Sequence, residues 1–205
     1  MSDAAIAGLI LAGGASRRMG TPKTLLRIGT ETFLDRLIGV FAPICAPVIV
    51  VLGHDSAWVR QGLERPGGAT FTINPDPDRG MLSSLQCGLA KLPSNAPAVI
   101  FTPVDYPSFR DTTIVRMAEA FSERHFDVVI PVYRGSKGHP VCVSRRVVQE
   151  LLELPCTAQA RDVIRQYGER TCFADVDDPG IVADIDTPDD YAKFLTAQAE
   201  GLCYP

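Results

Sequence analysis

The chain has 205 residues, of which 46% are hydrophobic, and its 20 basic and 24 acidic side chains give a formal net charge of −4. A chain of this size buries about 70% of its unfolded surface on folding, so disordered, collagen-like and disulfide-stapled classes are excluded. The slight acidic balance offers no general attraction to nucleic acid or to an anionic membrane, so any anion site must be local.

Taken in chain order, residues 4–12 come first as an apolar run. Met1, Ser2 and Asp3 before it carry no positive charge, and the run is too short to cross a bilayer. It reads as a buried strand rather than an export signal. Further strands are predicted at 48–52, 70–73, 99–102 and 128–132, with the first spanning 6–11. Between them, Phe33, Leu34, Leu37, Ile38 and Phe41 predict one face of a helix, and Trp58 and Leu63 belong to a short helix after 48–52. Leu82, Leu85, Leu89 and Leu92 recur at steps of three, four and three, and Ser83 and Gln86 have capping-box spacing at that helix's start. Ile114, Val115, Ala118 and Phe121 predict another helix. This alternation gives parallel strands joined by crossover helices, a three-layer α/β sandwich.

The rhythm then breaks. A strand is expected at 141–143, helices at 147–154 and 161–167, strands at 171–176 and 182–185, and a last helix from Thr187 with Pro188 in its first turn. No repeat or linker-like stretch interrupts the chain, so residues 1–205 read as a single domain. The six cysteines (Cys45, Cys87, Cys142, Cys156, Cys172 and Cys203) contain no CxxC pair, and with three histidines a structural zinc site is not expected. The expected setting is the reducing cytoplasm.

The densest chemistry lies in LAGGASRRMGTPK, residues 11–23, directly after the first strand. That is the carboxyl end of the strand, where open α/β sheets bind ligands. Gly13 and Gly14 permit close backbone approach to phosphate, and Arg17, Arg18 and Lys23 place three positive charges within seven residues. A solvated turn accounts for any one of these features, but not for their concentration behind a strand. Lys23 follows Pro22, so this is no Walker loop, and adjacent glycines do not make G-x-G-x-x-G. Neither an ATPase nor an NAD-dependent dehydrogenase is supported.

Asp105 closes the fourth strand at the same sheet edge, and Asp186, after 182–185, would face it. Mg²⁺ takes one or two carboxylates plus phosphates and water, which suits such a pair. Strand alternation puts Asp184 on the same side as Asp186, so spacing leaves both open as ligands. Asp189 and Asp190 complement a helix N-terminus. Asn74 and residues 80–84 end a strand and open a helix, whose free N–H groups suit a nucleotide. Residues 134–140, RGSKGHP, read as a flexible basic loop able to grip a phosphate.

With these segments in this order, the chain resembles the molybdenum-cofactor guanylyl- and cytidylyltransferases and, more distantly, sugar-phosphate nucleotidyltransferases. The resemblance rests on LAGG (11–14), Arg18-Met19-Gly20, Lys23, NPDPDRGMLSSL (74–85), Asp105-Tyr106-Pro107, GHPV (138–141) and DIDTPDD (184–190). It implies a Rossmann-like, mostly parallel sheet of the nucleotide-diphospho-sugar transferase type. It further implies Mg²⁺-dependent transfer of an NMP from an NTP, CTP or GTP, to a phosphorylated acceptor, with molybdopterin expected and pyrophosphate released. On this resemblance Arg18 and Lys23 contact the triphosphate and stabilise the transition state, and Asp105 and Asp186 hold the metal. The backbone of Leu11, Ala12, Gly13 and Gly14 borders base and phosphates, Asn74, Gly80 and Ser83 are nucleotide contacts, and His139 lies on the acceptor side. Arg17 matches no motif position. GMLSSL and GHPV look like the cytidylyl branch and LAGG like the guanylyl branch. Partners implied are the small acceptor and a recipient molybdoenzyme, with no nucleic acid and no membrane. A sugar-1-phosphate acceptor, or a non-catalytic nucleotide-binding or cofactor-delivery module, are the competing readings; retention of Lys23, Asp105 and Asp186 weighs against the module.

Overall fold

The computed structural model describes residues 5–200 except 17, 65, 125 and 156; Arg17, Cys156 and Cys203 of the sequence reading therefore lie outside the described residues. Strand β1 (Ala7–Ala12) is buried along its whole length. A glycine loop and a short 3-10 helix (Lys23–Leu25) lead to the small antiparallel ribbon β2 (Arg27–Ile28) and β3 (Glu31–Thr32), then to helix α1 (Phe33–Phe41). There follow β4 (Val48–Leu52), α2 (Ser56–Gly62), β5 (Thr70–Ile73), α3 (Met81–Leu89), β6 (Ala98–Pro103) and α4 (Asp111–Arg124). The C-terminal part comprises β7 (Val128–Tyr133), β8 (Ser136–Lys137), β9 (Val141–Ser144), α5 (Arg145–Glu153), α6 (Ala160–Gln166), β10 (Thr171–Asp175) and α7 (Pro188–Ala199).

The main sheet runs β10-β7-β9-β6-β1-β4-β5, with β8 attached to β7. Strands β6, β1, β4 and β5 pair in parallel, as do β10 and β7. Strand β9 is antiparallel to both β6 and β7. Alternation along β1 and β4 sends successive side chains to opposite faces. Ile10, Val50 and Leu52 pack with the predicted face of α1 and with Phe194 of α7, while Leu9, Leu11, Ile49 and Val51 pack with Leu82, Leu85 and Leu89 of α3 and with α5. The result is the expected mostly parallel sheet with helices on both sides. Among the described residues no helix is long and apolar enough to cross a membrane.

Four local expectations need correction. Ser83 and Gln86 form no capping box: α3 begins at Gly80, whose φ of 94° suits glycine, with no side-chain cap. Gln86 Nε2 instead donates to the carbonyls of Leu151 (3.0 Å) and Leu154 (2.9 Å), because α5 ends without a glycine cap and leaves carbonyls open. Residues 182–185 are not a strand. Pro179–Val182 is a 3-10 helix, and the alternating burial of Ile181, Ala183 and Ile185 comes from an irregular segment laid on the core. Residues 134–140 are not a free loop: Arg134 (φ 48°) and Gly135 (φ 84°) turn the β7–β8 hairpin, and Lys137 Nζ sits 4.2 Å from the Phe173 ring centroid. Trp58 and Val115 face outward, the buried positions beside them being Val59 in α2 and Met117 in α4. The last helix matches its prediction. Thr187 and Asp190 form a capping box and Pro188 opens the first turn.

Candidate functional site

The carboxyl ends of β1, β4 and β6 and the start of α3 enclose a cleft of about 400 Å³. Backbone contact builds its floor. A Cβ placed on Gly53, just after β4, would lie 2.2 Å from the Gly13 carbonyl oxygen, so the two loops can touch only with glycine at 53. Val104 N donates to Leu11 O (3.0 Å), carrying the β1–β6 pairing one residue further and delivering Asp105 to the edge. Ile185 N then donates to Asp105 O (3.0 Å), which draws the irregular segment and Asp186 against the end of β6.

Onto this frame the glycine loop folds two cations. Lys23 N donates to Ser16 Oγ (2.9 Å), and its ammonium, 11% exposed, lies 2.5 Å from Asp186 Oδ1 and 3.3 Å from Asp105 Oδ2. The Arg18 guanidinium, 66% exposed, lies 2.7 Å from Asp186 Oδ2. Asp105, Asp184 and Asp186 each present an oxygen within 4.8 Å of the others. Burial pushes the Asp105 carboxyl above its ordinary range, against the opposing pull of Lys23. The hydrogen bond from Lys23 holds Asp186 below that range. Asp184 is pushed up to about 6, by loss of water around its carboxyl and then by the charges of Asp105 and Asp186. Asp105 Oδ1 is buried with no hydrogen-bond partner. Hard carboxylate oxygens, one of them unsatisfied, fit a divalent cation of the Mg²⁺ or Mn²⁺ type.

Of the predicted site residues, Leu11, Ala12, Gly13, Gly14, Arg18, Lys23, Gly80, Asp105 and Asp186 line the cleft. Asn74, Ser83 and His139 do not. Asn74 is buried, its Nδ2 donating to Ser83 Oγ (2.8 Å) and Ser84 Oγ (3.0 Å) and its Oδ1 accepting from Asp76 N (3.0 Å). It holds the turn that presents Gly80 and Ser84. His139 packs on Tyr106 with ring centroids 4.6 Å apart, its Nδ1 is buried and unpartnered, and burial lowers its pKa to about 4. A neutral imidazole there brings no charge to an acceptor phosphate. Ser84, within the predicted 80–84 stretch, lines the cleft; sequence reasoning missed the loop Gly53, His54 and Asp55, which also lines it. The signal available was positional: every loop leaving the carboxyl end of a central parallel strand reaches this edge.

A family model described as the MobA-like NTP transferase domain matches residues 8–171. The molybdenum cofactor cytidylyltransferase of Escherichia coli (strain K12) is 27% identical over 194 residues, 95% of this chain and 96% of that protein. The molybdenum cofactor guanylyltransferase of Sinorhizobium fredii is 32% identical over 112 residues, 55% of this chain and 51% of that protein. Among solved structures, Rv0371c of Mycobacterium tuberculosis H37Rv, in complex with manganese, superposes with a TM-score of 0.78 at 25% identity, covering 94% of this chain and 99% of that one. With the family's match running from the first strand to the start of the last, the chain belongs to the MobA-like NTP transferase family and is a nucleotidyltransferase.

Proposed function

We propose that this nucleotidyltransferase acts as a single domain that moves an NMP from CTP or GTP to the terminal phosphate of a molybdopterin-type acceptor in the cytoplasm. The observation that carries this reading is the Lys23 ammonium held between Asp105 and Asp186 at the mouth of a glycine-walled cleft. An acceptor phosphate oxygen attacks the α-phosphorus, and the bond to the bridging oxygen of pyrophosphate breaks. Two polyanions must meet, so alignment and charge neutralisation dominate the barrier. The backbone around Gly13 and Gly14 cradles phosphate, Arg18 and Lys23 meet charge developing on the α-phosphate and leaving group, and Gly80 and Ser84 border the base. Asp105 and Asp186, with Asp184 beside them, would hold a divalent ion, Mg²⁺ in the cell, which supplies further charge neutralisation and orients the phosphates. A phosphate monoester is already nucleophilic, so no general base is needed.

CTP is supported by the relative named a cytidylyltransferase, which matches along nearly the whole chain. The LAGG spelling of residues 11–14 supports GTP. The deciding experiment is pyrophosphate release with CTP, GTP, UTP and ATP, each paired with molybdopterin and with several sugar-1-phosphates. Release with CTP or GTP and molybdopterin is expected. Release only with a sugar-1-phosphate moves the acceptor, and none with any pair overturns the reading in favour of a nucleotide-binding module.

A further inference from the structure

Both carboxylate oxygens of Asp186 are taken by cations: Lys23 Nζ at 2.5 Å on Oδ1 and Arg18 on Oδ2 at 2.7 Å. Lys23 also reaches Asp105 Oδ2. A divalent ion sits roughly 2.0–2.6 Å from its carboxylate oxygens. An ammonium and a guanidinium on those same oxygens therefore stand beside the place the ion would take, positive charge against positive charge. Each Asp186 oxygen keeps one lone-pair site, but the ion could use it only against the repulsion of both cations, so Asp186 is a poor ligand while they remain. Asp105 Oδ1 has no hydrogen-bond partner, and Asp184 has no ion pair among the described residues. One carboxylate of the three thus has a cation on each oxygen, and the other two retain open oxygens.

We infer that Arg18 and Lys23 are exchangeable counter-ions: in the nucleotide-free protein they occupy the carboxylate that the metal needs, and an incoming triphosphate draws them off and opens it. Taking the polyanion to be an NTP rests on the nucleotidyl-transfer reading above. Both cations line the cleft that would receive the phosphates. The geometry permits the swing. The Lys23 backbone is fixed by Ser16 Oγ and by the 3-10 turn Lys23–Leu25, so only its side chain need move. Arg18 makes no other hydrogen bond among the described residues, and its guanidinium is mostly in solvent. Metal and nucleotide are then coupled through the shared cations as well as through any direct metal–phosphate contact. The metal site becomes complete with the nucleotide, not before it.

Direct metal–phosphate bridging predicts nothing about metal binding in the absence of nucleotide, whereas cation exchange does. Mn²⁺ titrated into the nucleotide-free protein, with free ion followed by electron paramagnetic resonance, should bind Arg18→Met and Lys23→Met at least about fivefold more tightly than wild type, the lower end of ordinary coupling between linked sites. Adding Asp186→Asn to Arg18→Met should abolish the gain. Equal or weaker Mn²⁺ binding by both single variants, with native circular dichroism, overturns the inference, as does a gain that survives Asp186→Asn. If Lys23→Met fails to fold, Arg18→Met, at an exposed side chain, decides alone. Turnover without any gain in Mn²⁺ affinity retracts the exchange and spares the enzymatic reading. A gain with no pyrophosphate release from any NTP does the reverse.

Discussion

The sheet around β1 and the segment before α7 each deliver a carboxylate to the same cleft, by different physics. Asp105 arrives at the end of a strand whose position is set by a full parallel ladder and by apolar side chains buried on both faces. Asp186 arrives on a segment that pairs with no strand among the described residues. Its path is fixed by Asp178, which accepts from Arg110 N (2.8 Å), Thr113 Oγ1 (2.6 Å) and Gly180 N (3.0 Å), by Ile185 N on Asp105 O, and by the Thr187–Asp190 capping box. Regular burial spreads positional control over many small contacts, whereas a buried polar network concentrates it in a few bonds. The second carboxylate is therefore the more fragile of the two.

The largest effects should fall on the regular side, where chemistry and stability separate cleanly. Asp105→Ala should reduce pyrophosphate release to background with unchanged circular dichroism; near-wild-type turnover at saturating Mg²⁺ would remove Asp105 from the mechanism. Lys23→Met should lower kcat by about 10²–10³-fold, the usual loss for one well-placed charge-stabilising donor. Arg18→Met should cost less, because its guanidinium is mostly solvated. A rise in KM alone for both would mean uniform binding rather than transition-state stabilisation.

On the irregular side, stability and activity should fall together. Asp178→Ala removes the acceptor of two buried donors, Thr113 Oγ1 and Gly180 N, and at about 1–3 kcal/mol for each it should destabilise by roughly 2–6 kcal/mol. It should also lower kcat/KM by loosening the path to Asp186. Leu37→Ala in α1, expected to cost about 2–5 kcal/mol, is the matched control and should leave kcat unchanged. Equal kinetic effects from the two would erase the distinction between the regions.

His139 sharpens the contrast by pH. Its pKa is 6.5 in the unfolded chain and about 4 in the folded one, so the unfolded chain takes up the proton first. The stability tied to the neutral ring is complete above pH 6.5 and is lost as pH falls toward 4, by up to about 3 kcal/mol. In urea melts, His139→Gln should lose less than wild type between pH 7 and pH 4.5; parallel losses would show that the ring titrates normally. The smallest effect is at the helix start, where Thr187→Ala should cost about 1 kcal/mol in thermal unfolding.

The sequence made the first region legible because β-branched apolar runs leave few choices of backbone. Residues 48–52 and 70–73 are strands at the predicted bounds, and the glycine loop and Asp105 follow from their places after such runs. The direction of β9 was not legible, since VCVS shows a buried strand but not which neighbour it opposes. The alternation at 182–185 misled because period-two burial also arises in an irregular segment lying on a core. Gly53, His54 and Asp55 carry no motif, and only the topology brings them to the cleft. The role of Asn74 was half legible: its place beside the helix start was plain, but its amide is committed to two serines that only the fold brings within reach.

Gln86 carries a consequence for how the molecule opens. Met81 and Ser84, at the start of α3, line the cleft, while Gln86 further along the helix ties α3 to the final carbonyls of α5. Releasing α3 strips α5 of its terminal partner, so in hydrogen exchange the slow amides of the two helices should behave as one cooperative unit. A ligand seated against the start of α3 should thus slow exchange in α5, a helix that never touches it, and Gln86→Ala would divide that unit in two.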